Sequence, residues 1–198
     1  LALLFIDSTY DLTIGLLSDK YQWLDFRVYK NQKASALLQQ ECFNLCASQK
    51  LKFSELKGAI ALSGPGFYTG LRLSEGFLDV VSHFNIPCYS FYSYEVPSWC
   101  GHDELPWVTK AYRGEYFYYS NGSAKLVSAK DLPAFSEAYI HIPSAIDEVV
   151  VNKIAKPHTT HELIRLKPEL IFSQVIGQNL KRDSYYFRAP EDEFRVSV

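Results

Sequence analysis

Three places in the 198-residue chain combine side chains or backbone groups able to do chemistry. Asp7, Ser8 and Thr9 close the opening apolar run LALLFID. A carboxylate and two hydroxyls at a strand end suit phosphate and magnesium, and they equally suit an Asx or ST turn. ALSGPGFYTGLRLSEGF, residues 61 to 77, holds four of the ten glycines between an apolar run and a helical one. A strand-to-helix turn presents free amides at the helix N-terminus, so Gly66 and Thr69 join Asp7, Ser8 and Thr9 as a weak nucleotide or anion site. KPHTTHEL carries His158 and His161 three residues apart, but a catalytic zinc needs a third ligand and Glu162 points off their shared face.

The stricter forms of these motifs fail on spacing. A P-loop needs G-x-x-x-x-G-K-[ST], yet the sixth residue from Gly64 is Thr69, from Gly66 it is Leu71, and no Lys follows. Gly64-Pro65-Gly66 begins a dinucleotide fingerprint, and Thr69 then stands where its third glycine belongs. No Ser or Cys sits in a G-x-S-x-G elbow, and His83, His102 and His141 are isolated in sequence. Cys42 and Cys46 lie one helical turn apart without a further ligand on that face, which reads as two core thiols.

The elements that must position these groups follow from hydrophobic period. LALLFID, LTIGLLSD and WLDFRVYK read as three strands linked by tight turns. Ala34, Leu37, Leu38, Cys42, Leu45 and Cys46 then fall at helical spacing and predict a helix over 33 to 49, with a second apolar stripe at Ala36, Phe43 and Ala47. GAIALS is a buried strand, TGLRLSEGFLDVVSHF a helix, and PCYSFYSY (87 to 94) a further strand. Gly66, Gly70 and Ser74 lie four apart, continued by Phe77 and Val81. That small-residue track admits a close helix from this chain or from another. Beyond a Pro- and Gly-punctuated connection, PWVTKAY, GEYFYYSNGSAKLVSA and YIHI predict a second group of strands, and KPELIFSQVIGQNL a late helix. The order predicts an N-terminal ribonuclease-H-like lobe over 1–95 and a smaller C-terminal lobe over 96–198.

Composition narrows the function classes. Net charge is −2 and the sequence pI is about 6.2, so no global basic field is available to hold a nucleic acid or other polyanion without help. Four cysteines without a CxxC pair, and an opening run too short for a signal or a span, predict a soluble protein of the reducing cytoplasm without membrane contact.

SGPGFYTGLRLSEGF resembles the G-P-G-S-F-T-G-[LV]-R-[IL]-G-x-G signature of the TsaB family of bacterial tRNA threonylcarbamoyladenosine (t6A) biosynthesis proteins, once classed as glycoprotease-like. LLFIDST, YSFYSYE, RGEYFYY and YYFR match further landmarks in family order across nearly the whole chain. The resemblance implies an α/β fold of the actin-like ATPase superfamily: two ribonuclease-H-like lobes with mixed sheets flanked by helices, the second lobe reduced. It implies a non-catalytic subunit that docks on a TsaD-like paralogue, the threonylcarbamoyl transferase, through first-lobe helices. A TsaE-like ATPase is then a further partner, a homodimer uses the same helices, and tRNA is met only through the complex. No cofactor or metal is expected to bind tightly to the isolated chain, with ATP confined to the assembled complex.

The interface predicted on that basis comprises Ala36, Phe43, Ala47, Gly66, Phe67, Tyr68, Gly70, Arg72, Ser74 and Phe77. Arg72 is expected at the partner contact or paired with Glu75 or Asp79. Several positions depart from the family pattern. Phe67 replaces a Ser and so removes an N-cap hydroxyl, leaving Thr69 as the nearest substitute. Ser74, Leu78 and Val80 stand where small residues are usual, which predicts a partner held farther away. Lys33-Ala34-Ser35 takes a place where His-Ser or His-Thr is common, and Lys110 replaces an Asp. The alternative is an enzyme of the same fold, either a nucleotide-dependent phosphotransferase or a metallopeptidase-like protein.

Overall fold

The computed structural model describes residues 2–142, 144 and 147–187. The first half runs β1 (Ala2–Asp7), β2 (Leu12–Ser18), β3 (Trp23–Tyr29), α1 (Ala34–Ser48), β4 (Leu56–Leu62), α2 (Tyr68–Ser82) and β5 (Cys88–Phe91). A short helix α3 (Val96–Trp99) leads to β6 (Trp107–Lys110), β7 (Glu115–Ser120), β8 (Ser123–Ser128) and β9 (Phe135–Ile140). Then come α4 (Glu148–Lys153), β10 (Ile154–Thr159), α5 (Thr160–Leu166) and α6 (Pro168–Gly177).

Two five-stranded mixed sheets result, in the orders β3-β2-β1-β4-β5 and β8-β7-β6-β9-β10. Each is an antiparallel meander followed by two parallel strands, so the second sheet repeats the first. The repeat is incomplete: residues 129–134 join β8 to β9 without a helix, where α1 joins β3 to β4.

Alternation along β1 shows how the layers are filled, because successive side chains point to opposite faces of a strand. Ala2, Leu4 and Ile6 pack with Leu38, Cys42, Leu45, Cys46 and Val81 under α1 and α2. Leu3 and Phe5 face the other way, into a core with Ile164 of α5, Ile171 and Phe172 of α6, and Trp107, Phe117 and Tyr139 of the second sheet. That core therefore belongs to both sheets. The far face of the second sheet packs Val108, Tyr116, Ala138 and Ile140 against Val150 and Ile154.

After α6 the chain turns back to the first sheet. Ser90 N donates to Leu180 O at 3.0 Å, Ser90 Oγ to Arg182 O at 2.7 Å, and Tyr185 N to Ser63 O at 2.8 Å. Residues 180–187 thus cover the β5 edge and the glycine turn.

Three local expectations change. The strand expected over 87–94 ends at Phe91, because residues 93–95 form a 3-10 turn with Tyr92 N held by Glu95 Oε2 at 2.8 Å. YIHI gives only Tyr139 and Ile140 to the longer β9, with His141 and Ile142 beyond its end, and KPHTTHEL forms most of β10 and the start of α5. Of the YYFR landmark, Arg188 lies outside the described residues. Among the described residues no helix is long and apolar enough to cross a membrane.

Candidate functional site

The end of β1 meets the second sheet at a buried polar node. Asp7, Thr9 and His141 are each at most 2% exposed. Asp7 Oδ1 accepts from Thr9 N at 2.9 Å and from Thr9 Oγ1 at 2.6 Å, while Asp7 Oδ2 lies 2.9 Å from His141 Nε2. His141 Nδ1 is 3.2 Å from Thr160 Oγ1, so the ring is held from both sides. Burial raises the Asp7 carboxyl, but the His141 charge, the hydrogen bond to that ring and the Thr9 donors outweigh it and hold the group below its ordinary 3.8. Beside this node the Tyr10 hydroxyl donates to Lys110 O at 2.6 Å and lies 2.6 Å from Thr109 Oγ1. The β1–β2 turn and the end of β6 are bonded directly to each other.

The proposed anion residues are arranged accordingly. Both Asp7 oxygens have protein partners, Ser8 Oγ donates to Gly70 O at 2.6 Å, and Gly66 N donates to Tyr185 O at 3.3 Å. Ser8, Thr9 and Thr69 line a cavity of about 600 Å³ that also touches Lys33 and Phe67, and Asp7 and Gly66 take no part in its lining. The α2 N-cap position is Phe67 and no side chain caps it, Thr69 included.

The first part of the small-residue track faces the β1–β2 turn, and Val81 at its end packs with α1. A Cβ on Gly70 would lie 2.0 Å from Ser8 O, and one on Gly66 would lie 3.1 Å from Thr9 Cβ. Ser74 is 2% exposed and its hydroxyl bonds that of Ser8. Gly66, Gly70 and Ser74 let α2 approach the β1–β2 turn of this same chain. Phe67 packs on Tyr10 and Phe187 at 5.3 and 5.8 Å, and Tyr68 on Tyr186 at 5.1 Å, so the returning tail covers both. Arg72 Nη1 donates to Glu75 Oε2 at 2.9 Å.

A different face of the two helices is open. On α1, Ala36, Phe43 and Ala47 are exposed. Phe43, Val80 and Phe84 show 43%, 58% and 55% of their surface to solvent. Phe53, just before β4, joins the group: its ring lies 4.8 Å from Phe43, 6.2 Å from half-buried Phe77 and 6.3 Å from Phe84. Phe53 and Phe84 escape the sequence reading, although Phe77, Val80 and Phe84 recur at helical spacing and carry a usable signal.

The remaining candidates separate. His158 bonds Glu137 Oε2 at 2.9 Å at the end of β10, and His161 Nε2 lies 3.3 Å from Thr13 Oγ1 on α5, with burial pushing its pKa down. Among the described residues no three His, Cys, Asp or Glu side chains are grouped to hold a metal. Burial pushes the Cys46 thiol up to about 11 and the Cys42 thiol higher still, which makes both inert core groups.

No family model and no curated protein matches the chain. Solved structures do. YeaZ from Pseudomonas aeruginosa superposes with a TM-score of 0.63 at 14% identity, over 89% of this chain and 93% of that one. A second structure, described as "an uncharacterized protein with similarity to peptidase YEAZ from Pseudomonas aeruginosa", gives 0.58 at 15% identity, over 92% and 99%. At such identities the likeness concerns the fold: mixed α/β sheets flanked by helices, in the arrangement of YeaZ-like proteins.

Proposed function

We propose that the chain is a non-catalytic partner subunit of a t6A modification assembly, docking on a TsaD-like transferase through the face shared by α1 and α2. The observation that carries this is the open cluster around Phe43, Val80 and Phe84, next to Phe53 and Phe77. Aromatic side chains without cover are costly in water and are enriched in the centres of protein interfaces. The fold shared with YeaZ and the glycine signature make the transferase subunit of that pathway the partner to try first. A TsaE-like ATPase, ATP at the assembled interface and contact with tRNA through the transferase complete the reading.

Chemistry by this chain alone is disfavoured because the carboxylate best placed for magnesium, Asp7, is buried and bonded by Thr9 and His141. The decisive experiment is co-purification with the TsaD-like subunit of the same organism, using Val80→Glu and Phe84→Asp. Both positions are more than half exposed, so the isolated fold is kept, and each change should weaken the complex at least tenfold. Gly70 is unsuitable for this purpose because any side chain there strikes Ser8. Normal assembly by both variants rules the face out. Sedimentation of the pure chain tells whether a second copy uses the same face, and calorimetry with ATP and magnesium tests the enzyme alternative.

A further inference from the structure

On the opposite side of the first sheet from α1 and α2, the hairpin turn between β7 and β8 faces the segment around α3 across a cavity of about 410 Å³. Its wall includes the rings of Tyr94, Trp99 and Tyr119, the carboxylates of Glu95 and Asp103, and Asn121. Among the described residues no lysine or arginine lines it, and the one nitrogen base in the wall is His102.

The rings are set in place before any ligand arrives. Tyr92, Tyr94 and Tyr119 form a stack, with centroids 5.3 and 4.4 Å apart and planes within 24° and 21° of parallel. Trp99 is fixed by Phe91 at 5.7 Å. The two carboxylates differ. Glu95 is already used, Oε1 by Arg182 at 2.5 Å and Oε2 by Tyr92 N, whereas Asp103 is exposed with no hydrogen bond or ion pair among the described residues. A guanidinium already lies 5.7 Å from the Tyr92 ring centre, at the other end of the same stack. A negative π-surface attracts soft, weakly hydrated cations, and a carboxylate at the rim adds to that attraction. Phosphate-bearing ligands meet the reverse, because the Asp103 carboxylate has no cation to offset it.

We infer that this cavity is a binding site for an organic cation, a quaternary ammonium or the guanidinium of an arginine side chain, held by the rings of Trp99 and Tyr119 with Asp103 as its counter-charge. The site is independent of the α1–α2 docking face and stands or falls separately from it.

The test titrates the full chain, by calorimetry, with choline, with Nα-acetyl-arginine amide, with the neutral choline isostere 3,3-dimethylbutanol and with AMP. At least one cation should bind saturably at millimolar concentration or below, with the neutral isostere about tenfold weaker. Choline binding points to a free ammonium ligand, and arginine-amide binding to a partner's side chain. Tyr119→Leu should weaken the cation about tenfold, and Asp103→Asn, an exposed change that leaves the fold alone, about threefold and less so at high salt. Equal binding of the isostere, AMP in preference to either cation, an unchanged affinity in Asp103→Asn, or no saturable cation binding overturns the proposal.

Discussion

Asp7 and His141 are the residues on which the junction of the two sheets depends. Each is 1% exposed, so each has given up its hydration for the other and for the hydroxyls of Thr9 and Thr160. Removing one partner of such a buried pair leaves a bare charge in low dielectric, and His141→Leu should cost about 3–5 kcal/mol in urea unfolding. The double variant Asp7→Asn/His141→Leu should recover part of that loss, because no charge is then stranded.

The pH dependence has two windows. His161 has its folded pKa depressed by burial, so the unfolded chain binds the proton better; stability is complete above the ordinary 6.5 and falls as pH drops from there toward the folded value. The Asp7 value is likewise depressed, so its contribution is complete above 3.8 and is lost as pH falls toward the lower folded value. Unfolding free energies at pH 7, 5 and 3 should therefore show His161→Gln flattening the first interval and Asp7→Asn the second. An unchanged slope in either interval removes that group from the account. Nothing in the sequence near His141 announces this role, since its partner stands 134 positions away and only the parallel placement of β9 brings the two together.

At the scale of elements, α2 is held against the β1–β2 turn by the absence of a side chain at one point. Because a Cβ at position 70 would lie only 2.0 Å from a backbone oxygen, Gly70→Ala must push α2 off its seat, and overpacking of this kind should cost about 3 kcal/mol. Gly76, on the same helix, has nothing within 4 Å of its Cβ position, so Gly76→Ala should stabilise by about 0.5–1 kcal/mol through helix propensity alone. Thermal or urea unfolding of the pair separates a steric role for Gly70 from a general sensitivity of α2; equal effects would refute the steric one.

The same helix shows what periodicity can and cannot convey. The spacing of Leu71, Ser74 and Val81 marks the buried stripe, and the β1–β4 strands stand out as apolar runs between turn formers. The direction in which Gly66 and Gly70 face is different information, because it depends on where Ser8 and Thr9 come to rest. The second sheet is harder to read: in β10 only Ile154 is buried while Ala155, Lys156 and Pro157 are exposed, so an edge strand of that kind carries no alternation to detect. The α1–α2 face was legible at Phe43 and Phe77, but Phe53 joins them only through the fold of the chain between α1 and β4.

Across the whole molecule, the repeated sheet order suggests two lobes able to move apart, and the packing opposes it. Phe5, Phe91, Trp107, Phe117, Tyr139 and Phe172 fill one core drawn from both sheets, and α6 with residues 180–187 returns to the first sheet after the second is complete. Separating the sheets would expose that shared apolar surface and strand the Asp7–His141 pair together with the Tyr10 bonds to β6. Both penalties favour loss of the two sheets in one step. The three tryptophans report on this seam: Trp107 lies within the shared core, and Trp23 and Trp99 pack against it, Trp23 Nε1 also donating to Arg165 O at 3.1 Å. Far-UV circular dichroism weighs the strands and helices of both halves instead. Urea transitions followed by tryptophan fluorescence and by circular dichroism should therefore coincide in midpoint and slope. A fluorescence change that precedes the loss of secondary structure would mean that the lobes part before they unfold, and the seam would then be a hinge and not a core.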